Sequence, residues 1–292
     1  MQSFAATRSI AGRSAELLFV PSLDEIYLPV LVRRPAGERR CPVIVMGRGN
    51  GRGGVEHLER EAARLAAMQD RMLDRGYAVA YVNYRNEVPH LYAHSEPARR
   101  MHDDMSGGEN RVLKSSAALD SDDLRVVLAH LRALPWTNGR IGAMGVSHSG
   151  ELILKVAAEF AFDAGVVIEG ASHEFLAVDT GPMAPRIAGE LQYQDVDVVR
   201  RHANEAVAMS RIRRIATPLL HLGRDTDHLQ GIFRLAHEWL QAAGKDTQWV
   251  SYDHPEHGYP FVYTGEDGRY APDAIQQAAF DAMMEFLDAR LR

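Results

Sequence analysis

Apolar and polar positions alternate along the chain with two different periods. Short apolar runs rich in β-branched residues predict buried strands, and apolar residues spaced three or four apart predict helices. The predicted strands are Ile26–Arg33, Pro42–Met46, Tyr77–Asn83, Arg140–Gly145, Ala164–Glu169, Thr217–Leu222 and Gln248–Tyr252. The predicted helices are Glu56–Arg75, Asp122–Leu134, Glu151–Phe160, Ile232–Ala243 and Ala274–Leu291. Because the two kinds alternate, the sequence predicts an α/β fold with a mostly parallel central sheet and helices on both faces.

Two segments interrupt this alternation. Residues Arg85–Ser116 are polar and contain prolines and a glycine pair, which predicts a long loop. Residues Phe175–Arg214 are mostly helical in pattern, and we expect them to form a small helical cap inserted over the sheet. The chain shows no repeat of solenoid length. We therefore expect residues 1–292 to form a single domain that includes the cap.

The strongest chemical signal is the segment Gly145–Gly150, which lies between a predicted strand and a predicted helix. A serine on such a sharp turn is held out above the sheet edge, where its hydroxyl can act as a nucleophile. Small residues two positions before and after Ser147 let strand and helix approach closely. The usual glycine after the serine is replaced by Ser149, which is still small. We take Ser147 as the candidate nucleophile; a structural serine at a helix start is the alternative.

A serine nucleophile needs a base, and the base needs a carboxylate that orients it. In the chain order typical of this turn the acid and then the histidine follow the serine. His257 follows the last predicted strand and precedes a glycine and an aromatic residue, so it is the candidate base, with His254 as the fallback. Asp225 and Asp227 both follow the predicted strand that ends at Leu222.

The sequence gives two opposing arguments about the acid. Counting forward along the strand favours Asp227, and counting back from the next helix favours Asp225. The residue nearer the strand has the shorter path to the imidazole, which inclines the choice towards Asp225. The other aspartate is then expected to be a solvated turn residue.

Two backbone N–H groups should hold the oxyanion of the reacting substrate. The first belongs to His148, which follows the nucleophile. The second should come from the glycine-rich loop after Pro42–Met46, where Arg48 or Gly49 is the candidate donor. Arg48 also brings a cation that could favour anionic substrates, although a solvated loop arginine is an equal alternative.

The same loop supports a competing hypothesis. Residues 49–54 read GNGRGG, which matches the glycine pattern of dinucleotide-binding loops, so an NAD(P)-binding protein is an alternative. The next strand, however, ends at Asn83 and not at an acidic residue that could hold a ribose. The histidines of the last loop lack a clear third ligand, so we expect no metal. We expect no cofactor.

The composition of the chain indicates which binding partners and which cellular compartment to expect. The formal charge is −6, which gives no electrostatic case for nucleic acid or an anionic membrane as a partner. No apolar run approaches the length of a membrane span, and residues 1–16 lack the apolar core of a secretory signal. A single cysteine, Cys41, fits a reducing compartment, so we expect a cytoplasmic protein. The oligomeric state stays open, with a homo-oligomer as one option.

Four segments together resemble a known group of enzymes. They read RGYAVAYVNYR, LPWTNGRIGAMGVSHSG, TPLLHLGRDTD and DHPEHGY, and begin at Arg75, Leu134, Thr217 and Asp253. They are similar to the dienelactone-hydrolase and prolyl-oligopeptidase branch of the α/β hydrolases, with further likeness to X-Pro-peptidase, cocaine-esterase and acyl-CoA thioesterase relatives. The resemblance implies the α/β-hydrolase fold, a Ser-Asp-His triad, a backbone oxyanion hole and no cofactor.

The sequence departs from that group in three places. Many members have His-Gly-Gly where this chain has Gly47-Arg48-Gly49, Ser149 replaces a glycine, and Thr226 stands at the usual acid position. The chain has no room for the β-propeller of full-size prolyl oligopeptidases, so we expect cleavage of a small ester. The alternatives are a thioesterase or acyltransferase, a small exopeptidase, and an inactive binding protein of the same fold.

Overall fold

The computed structural model describes residues 4–23, 26–37, 39–49, 54–85, 111–179 and 193–292. Two compact units emerge from the distribution of backbone contacts. The first comprises Met1–Met46 with Asn50–Gly139, and the second comprises Gly47–Gly49 with Arg140–Arg292. Every residue of the candidate site described below belongs to the second unit.

The first unit pairs its strands mostly in antiparallel fashion. Its strands are β1 (Phe4–Ile10), β2 (Arg13–Pro21), β3 (Tyr27–Arg33), β4 (Cys41–Gly47, whose last residue belongs to the second unit) and β5 (Ala78–Val82). Its helices are α1 (Gly54–Arg64), α2 (Ala66–Asp74) and α3 (Arg111–Arg132). The pairs β1–β2, β2–β3 and β3–β5 are antiparallel, and β4–β5 is parallel. The β1–β2 hairpin was not predicted from the sequence.

The helices of this unit differ from the predicted ones in two ways. The predicted helix Glu56–Arg75 is divided at Leu65 into α1 and α2. Gly76 ends α2 with a φ of +87°, as a glycine after a helix commonly does. Helix α3 begins at Arg111, so the last part of the predicted loop Arg85–Ser116 is helical, while residues 86–110 lie outside the described part of the chain.

The second unit continues with parallel strands. They are β6 (Thr137–Val146, which begins in the first unit), β7 (Ala164–Ile168), β8 (Leu219–Arg224) and β9 (Thr247–Tyr252), paired in that order and all parallel. Its helices are α4 (His148–Ala157), α5 (Val196–His202), α6 (Glu205–Ile212), α7 (Gln230–Ala242) and α8 (Ala274–Leu291). The predicted α/β alternation with mostly parallel pairing is confirmed.

Helices cover both faces of these parallel strands. A Cβ on Gly142 would lie 2.9 Å from the side chain of Leu291 in α8. A Cβ on Gly165, which pairs with Ala143, would lie 3.0 Å from Ile153 in α4. Successive strand residues point to opposite faces, so α8 and α4 cover opposite faces. The glycines let both helices approach the strands closely.

The described part of the predicted cap segment Phe175–Arg214 packs beside α7. Its regular elements are α5 and α6, and residues 180–192 lie outside the described residues. Helix α5 contacts α7. The chain just before α5 also lies against α7, because a Cβ on Gly231 would be 2.6 Å from the carbonyl oxygen of Tyr193. Among the described residues, no helix is both long and apolar enough to cross a membrane.

Candidate active site

Ser147 lies on a strained turn between β6 and α4. Its φ is +54° and its ψ is −111°, a conformation that L-residues rarely adopt. The backbone on either side is fixed, because Ser147 N–H donates to the carbonyl of Ile168 at 2.9 Å and Ala171 N–H donates to the carbonyl of Ser147 at 3.0 Å. Strain of this kind persists only where the surroundings hold it, and it is frequent at functional sites.

Small residues around Ser147 are sterically required. A Cβ on Gly145 would lie 2.7 Å from the backbone carbon of Ser149, and a Cβ on Gly150 would lie 2.9 Å from Cα of Gly170. Neither distance is tolerable between carbon atoms, and backbone atoms cannot move aside. Helix α4 begins at His148, directly after the serine. The turn therefore has the strand–serine–helix geometry that the sequence predicts.

Ser149 connects this turn to the glycine-rich loop after β4. Its Oγ–H donates to the carbonyl oxygen of Arg48, and the residue is almost fully buried. A peptide is planar and trans, so the N–H of Gly49 points away from the carbonyl of Arg48 and hence away from Ser149. A Cβ on Gly49 would lie 3.6 Å from Cβ of Ser147. The loop backbone thus passes beside the serine side chain.

The side chain of Arg48 is directed to an aromatic ring. Its guanidinium lies 4.9 Å from the ring centroid of Tyr263, and its Nη1 donates to the hydroxyl of that tyrosine. Arg48 is half-buried. The other predicted oxyanion residue, His148, is the first residue of α4 and its side chain is largely buried.

His257 is paired with a buried aspartate. Its Nδ1 lies 2.7 Å from Oδ2 of Asp227, which is fully buried. An ionised carboxylate can only accept, so Nδ1 carries the hydrogen and Nε2 is the free base of the neutral ring. Leu229 N–H donates to the other oxygen of Asp227 at 2.7 Å. This is the arrangement in which an acid orients a catalytic histidine.

Asp225 lies elsewhere, so the inclination towards it as the acid does not match the geometry. Its side chain is exposed and accepts a hydrogen bond from Ser251 Oγ. Strand β8 runs on to Arg224, and a tight turn follows in which Asp227 N–H donates to the carbonyl of Arg224 at 3.2 Å. This turn carries the chain back, so the aspartate farther along the sequence is the one that reaches His257. Thr226 is exposed at the tip of the turn.

Gly258 brings the histidine loop against the serine turn. It has a φ of +74°, and a Cβ there would lie 2.8 Å from Cγ1 of Val146. Val146 and Ser147 are consecutive, as are His257 and Gly258. The close approach of the two loops is therefore built on a glycine that has no room for a side chain.

Arg224 fixes the loop that carries His257. Its Nε donates to Oδ2 of Asp227 at 3.1 Å, and its Nη1 donates to the carbonyls of His254 and Pro255 at 3.1 and 2.9 Å. The guanidinium is nearly buried, and it holds the aspartate and the histidine loop in register. The donors of a guanidinium lie in a rigid plane, so several contacts from one arginine restrict the geometry of the groups it binds.

His254, the fallback base, has both ring nitrogens engaged. Its Nε2 lies 3.2 Å from Oδ2 of Asp273, and its Nδ1 accepts from Glu256 N–H at 3.0 Å. The ring stacks on Tyr259 with centroids 5.1 Å apart. These contacts give His254 a structural role in the loop, so the geometry favours His257.

Comparison with known proteins relates the chain to solved structures. No family model and no curated protein matches it. The acylaminoacyl peptidase of Pyrococcus horikoshii superposes with a TM-score of 0.58 at 18% identity, over 98% of this chain and 42% of that chain. A propionate-bound esterase of Thermogutta terrifontis gives 0.58 at 17% identity, over 94% of both chains. A Klebsiella pneumoniae protein assigned as a dienelactone hydrolase gives 0.59 at 16% identity, over 99% of both.

The chain has the α/β-hydrolase fold. The resemblance seen in the sequence to dienelactone-hydrolase and prolyl-oligopeptidase relatives is thereby confirmed at the level of structure. The chain spans about two fifths of the acylaminoacyl peptidase, and it spans nearly all of the esterase. Within the α/β-hydrolase fold, Ser147, His257 and Asp227 lie at the carboxyl ends of β6, β9 and β8 or on the loops that follow them.

A second carboxylate on His257 was missed in the sequence. Glu169 follows β7, is fully buried, and places Oε2 2.9 Å from Nδ1 of His257. The same oxygen accepts the N–H of Gly258. Its signal in the sequence is an acidic residue that directly follows the apolar run AGVVI and precedes Gly170. An α/β-hydrolase strand of that kind is buried on both faces, so a carboxylate at its end needs a partner.

The carboxylates control the charge of His257. Burial disfavours the imidazolium and lowers the pKa of His257, but the hydrogen bonds that the ring donates to Asp227 and Glu169, together with the charges of both carboxylates, outweigh burial and raise that pKa to about 9. Burial raises the pKa of Asp227, yet the hydrogen bond and charge of His257 dominate and the pKa of Asp227 is lowered overall. The site therefore stabilises an imidazolium–carboxylate pair.

A third side chain approaches the same atoms. One ligand-type atom from each of Asp227, His228 and His257 lies within 4.8 Å of the others. The His228 ring meets the His257 ring edge-on, with centroids 4.9 Å apart. The 2.7 Å separation of Asp227 and His257 is that of a charge-assisted hydrogen bond, so the cluster fits an oriented base better than a set of metal ligands.

The glycine-rich residues 50–53 of the dinucleotide alternative lie outside the described residues.

Proposed function

We propose that this protein is a serine hydrolase that cleaves a carboxylic ester of a small or medium-sized acyl substrate. The observation that carries the proposal is the contact between buried Asp227 and Nδ1 of His257, 2.7 Å apart. The loop that carries His257 packs through Gly258 against the strained turn of Ser147. A nucleophile, a base and an orienting acid in this relation activate a serine hydroxyl.

The reaction proceeds in two halves. Oγ of Ser147 attacks the ester carbonyl while Nε2 of His257 takes the hydroxyl proton, and Asp227 stabilises the resulting imidazolium. The imidazolium then gives its proton to the leaving alcohol, which leaves an acyl-enzyme. Water then attacks the acyl-enzyme ester while His257 takes one of its protons. The imidazolium gives that proton to Oγ of Ser147, which releases the acid and restores the serine hydroxyl.

Two backbone donors support the oxyanion in this proposal. The first-turn N–H groups of a helix have no acceptor within the helix, and His148 opens α4 directly after the nucleophile. The N–H of Gly49 points away from Ser149, on a loop that passes beside the Ser147 side chain. Donors aimed at developing charge are worth roughly 3–4 kcal/mol each in related chemistry.

The comparisons favour an ester over the other acyl substrates. The esterase that shares the fold over nearly its whole length was solved with propionate and with butyrate. The peptidases that share it are more than twice as long as this chain. A small-molecule ester is accordingly the proposed substrate, handled without a cofactor.

The test is a substrate panel run on the wild type and on Ser147→Ala. The panel holds p-nitrophenyl esters of graded acyl length, acyl thioesters and aminoacyl amides. We expect ester turnover that falls at least about 10³-fold in the variant. If only thioesters or only amides were turned over, the proposed substrate would be that class and not an ester. Unchanged turnover in Ser147→Ala, or tight NAD(P) binding without turnover, would overturn the proposal.

A further inference from the structure

Glu169 has no function in the usual serine, histidine and acid arrangement, yet it is fully buried. An ionised carboxylate inside a protein costs several kcal/mol unless hydrogen bonds or charges compensate it. The residue is also held at a φ of +45°, in the left-handed region that a residue with a side chain rarely adopts. A costly side chain on a strained backbone calls for an explanation at this position.

Within the described part of the chain, both polar contacts of the Glu169 side chain are with the histidine loop. Its Oε2 lies 2.9 Å from Nδ1 of His257 and accepts the N–H of Gly258. Among the described residues, none gives its Oε1 a hydrogen bond. The polar contacts of this carboxylate are therefore made with two consecutive residues, His257 and Gly258.

The same imidazole nitrogen faces two acidic side chains. Nδ1 of His257 is 2.7 Å from Oδ2 of Asp227 and 2.9 Å from Oε2 of Glu169. A neutral histidine with Nδ1 protonated has one hydrogen there, so the two oxygens share a single donor. They reach it from different elements, since Asp227 follows β8 and Glu169 follows β7.

We propose that Glu169 is a second positioning carboxylate, which holds the imidazole of His257 together with Asp227. This inference rests on the proposed function and deepens it. Either oxygen alone keeps the hydrogen on Nδ1, so Nε2 stays a base when the other carboxylate is removed. Both charges also stabilise the imidazolium that forms when His257 takes the proton of Ser147.

This arrangement has a cost that makes it testable. Two negative charges favour the protonated ring, so less of the free base exists near neutral pH. Among the described residues, the charged and titratable groups facing His257 are Asp227, Glu169 and the ring of His228, with Arg224 behind the aspartate. Removing the charge of Glu169 should increase the fraction of free base at pH 7, which a residue with a merely structural role would not do.

The experiment compares pH profiles of kcat/KM for the wild type, Glu169→Gln, Asp227→Asn and the double variant. We expect Glu169→Gln to move the acid limb of the profile, the range in which activity rises with pH, down by about one pH unit. The ratio of activity at pH 7 to activity at pH 9 should then rise about fivefold. We expect Asp227→Asn to lose about 10²-fold and the double variant to approach the roughly 10⁴-fold loss seen when a triad acid alone is removed elsewhere. Glu169→Asp keeps the charge on a shorter side chain, so its acid limb should lie between those of the wild type and Glu169→Gln. This variant replaces Glu169→Gln in the comparison if the latter folds poorly.

Glu151→Gln is the matched control. Glu151 is also a buried glutamate of the second unit, but its carboxylate accepts from Phe175 N–H at 2.8 Å. The acid limb of the kcat/KM profile of Glu151→Gln should coincide with that of the wild type. An unmoved limb in Glu169→Gln, or a loss in Asp227→Asn equal to that of the double variant, would overturn the role of Glu169.

A readout without turnover separates this inference from the proposed function. The His257 ring is titrated by nuclear magnetic resonance in the wild type and in Glu169→Gln. A lower titration midpoint in the variant supports the role of Glu169 even if no panel substrate is cleaved. An identical midpoint overturns it even if Ser147 proves to be the nucleophile.

Discussion

Nδ1 of His257 lies 2.7 Å from Oδ2 of Asp227, although Asp225 is closer to the strand in sequence. The tight turn after Arg224 reverses the chain, which leaves Asp225 in solvent and buries Asp227. Loop geometry thus decides which of two neighbouring aspartates can orient the base.

The two aspartates give a matched pair of variants. Asp227→Asn should lower kcat/KM about 10²-fold, because an amide can donate to Nδ1 and favours the wrong tautomer, while the carboxylate of Glu169 limits the loss. Asp225→Asn should stay within about threefold of the wild type, since Asp225 is exposed and bonded to Ser251. Steady-state ester hydrolysis of both variants measures the difference. The reverse ranking would show that the turn does not place the acid.

Activity should rise with pH through the alkaline range. The base must be neutral, and the pKa of His257 is raised to about 9 against the usual 6.5 because the two carboxylates outweigh burial. Below that value kcat/KM should increase about tenfold per pH unit and then level off. The profile from pH 6 to 10 is measured with Ser147→Ala as the blank for spontaneous hydrolysis. A plateau already reached at pH 7 would contradict the charge balance described for the site.

The hydroxyl of Ser149 should matter for turnover more than for binding. Ser149→Ala and Ser149→Gly both remove the hydrogen bond to the carbonyl of Arg48, which fixes the peptide that carries the Gly49 N–H. One such bond contributes about 1 kcal/mol, so kcat should fall about fivefold to tenfold with KM nearly constant. Ser210→Ala is the control, because that hydroxyl also bonds a carbonyl, within α6. If kcat were the same in Ser149→Ala, Ser149→Gly and Ser210→Ala, the Ser149 hydroxyl would have no role in turnover.

Glu151 should make stability depend on pH. Burial raises its pKa to about 7 despite the hydrogen bond from Phe175 N–H. Between about pH 4.3, the usual glutamate value, and pH 7 the folded state therefore holds a proton that the unfolded chain has released, so stability falls as pH rises through this window. Glu151→Gln removes this loss, and its unfolding free energy relative to wild type should increase by about 3 kcal/mol from pH 4 to pH 8.

Denaturant unfolding at both pH values measures this difference. Glu205→Gln, at an exposed position, is the control and should show no comparable change with pH. If Glu151→Gln behaves like the control, Glu151 is not the buried titrating group.

Local signals in the sequence were sufficient for the serine turn and the histidine loop. The residues of each motif are neighbours in the sequence: Gly145 and Ser147 come just before α4, and Gly258 directly follows His257. The steric requirements of both motifs can therefore be recognised without knowledge of the fold. The alternation of apolar strands and amphipathic helices likewise predicted the parallel part of the sheet.

The acid and Glu169 depend on contacts that the sequence does not display. Strand β8 ends two residues beyond its predicted end at Leu222, and the choice between the aspartates follows from the turn. Glu169 follows β7 and His257 follows β9, and they meet because the parallel pairs β7–β8 and β8–β9 place the carboxyl ends of these strands at one edge. The hairpin β1–β2 was missed because its polar residues interrupt the apolar pattern.

The most direct test of the account is the site of covalent labelling by a fluorophosphonate probe. The reagent reacts with an activated serine hydroxyl, and mass spectrometry of proteolytic fragments identifies the modified residue. We expect one modified serine, Ser147, in the wild type and none in Ser147→Ala, with labelling greatly reduced in His257→Gln. Labelling of Ser149, or labelling that persists in Ser147→Ala, would contradict the assignment of the nucleophile.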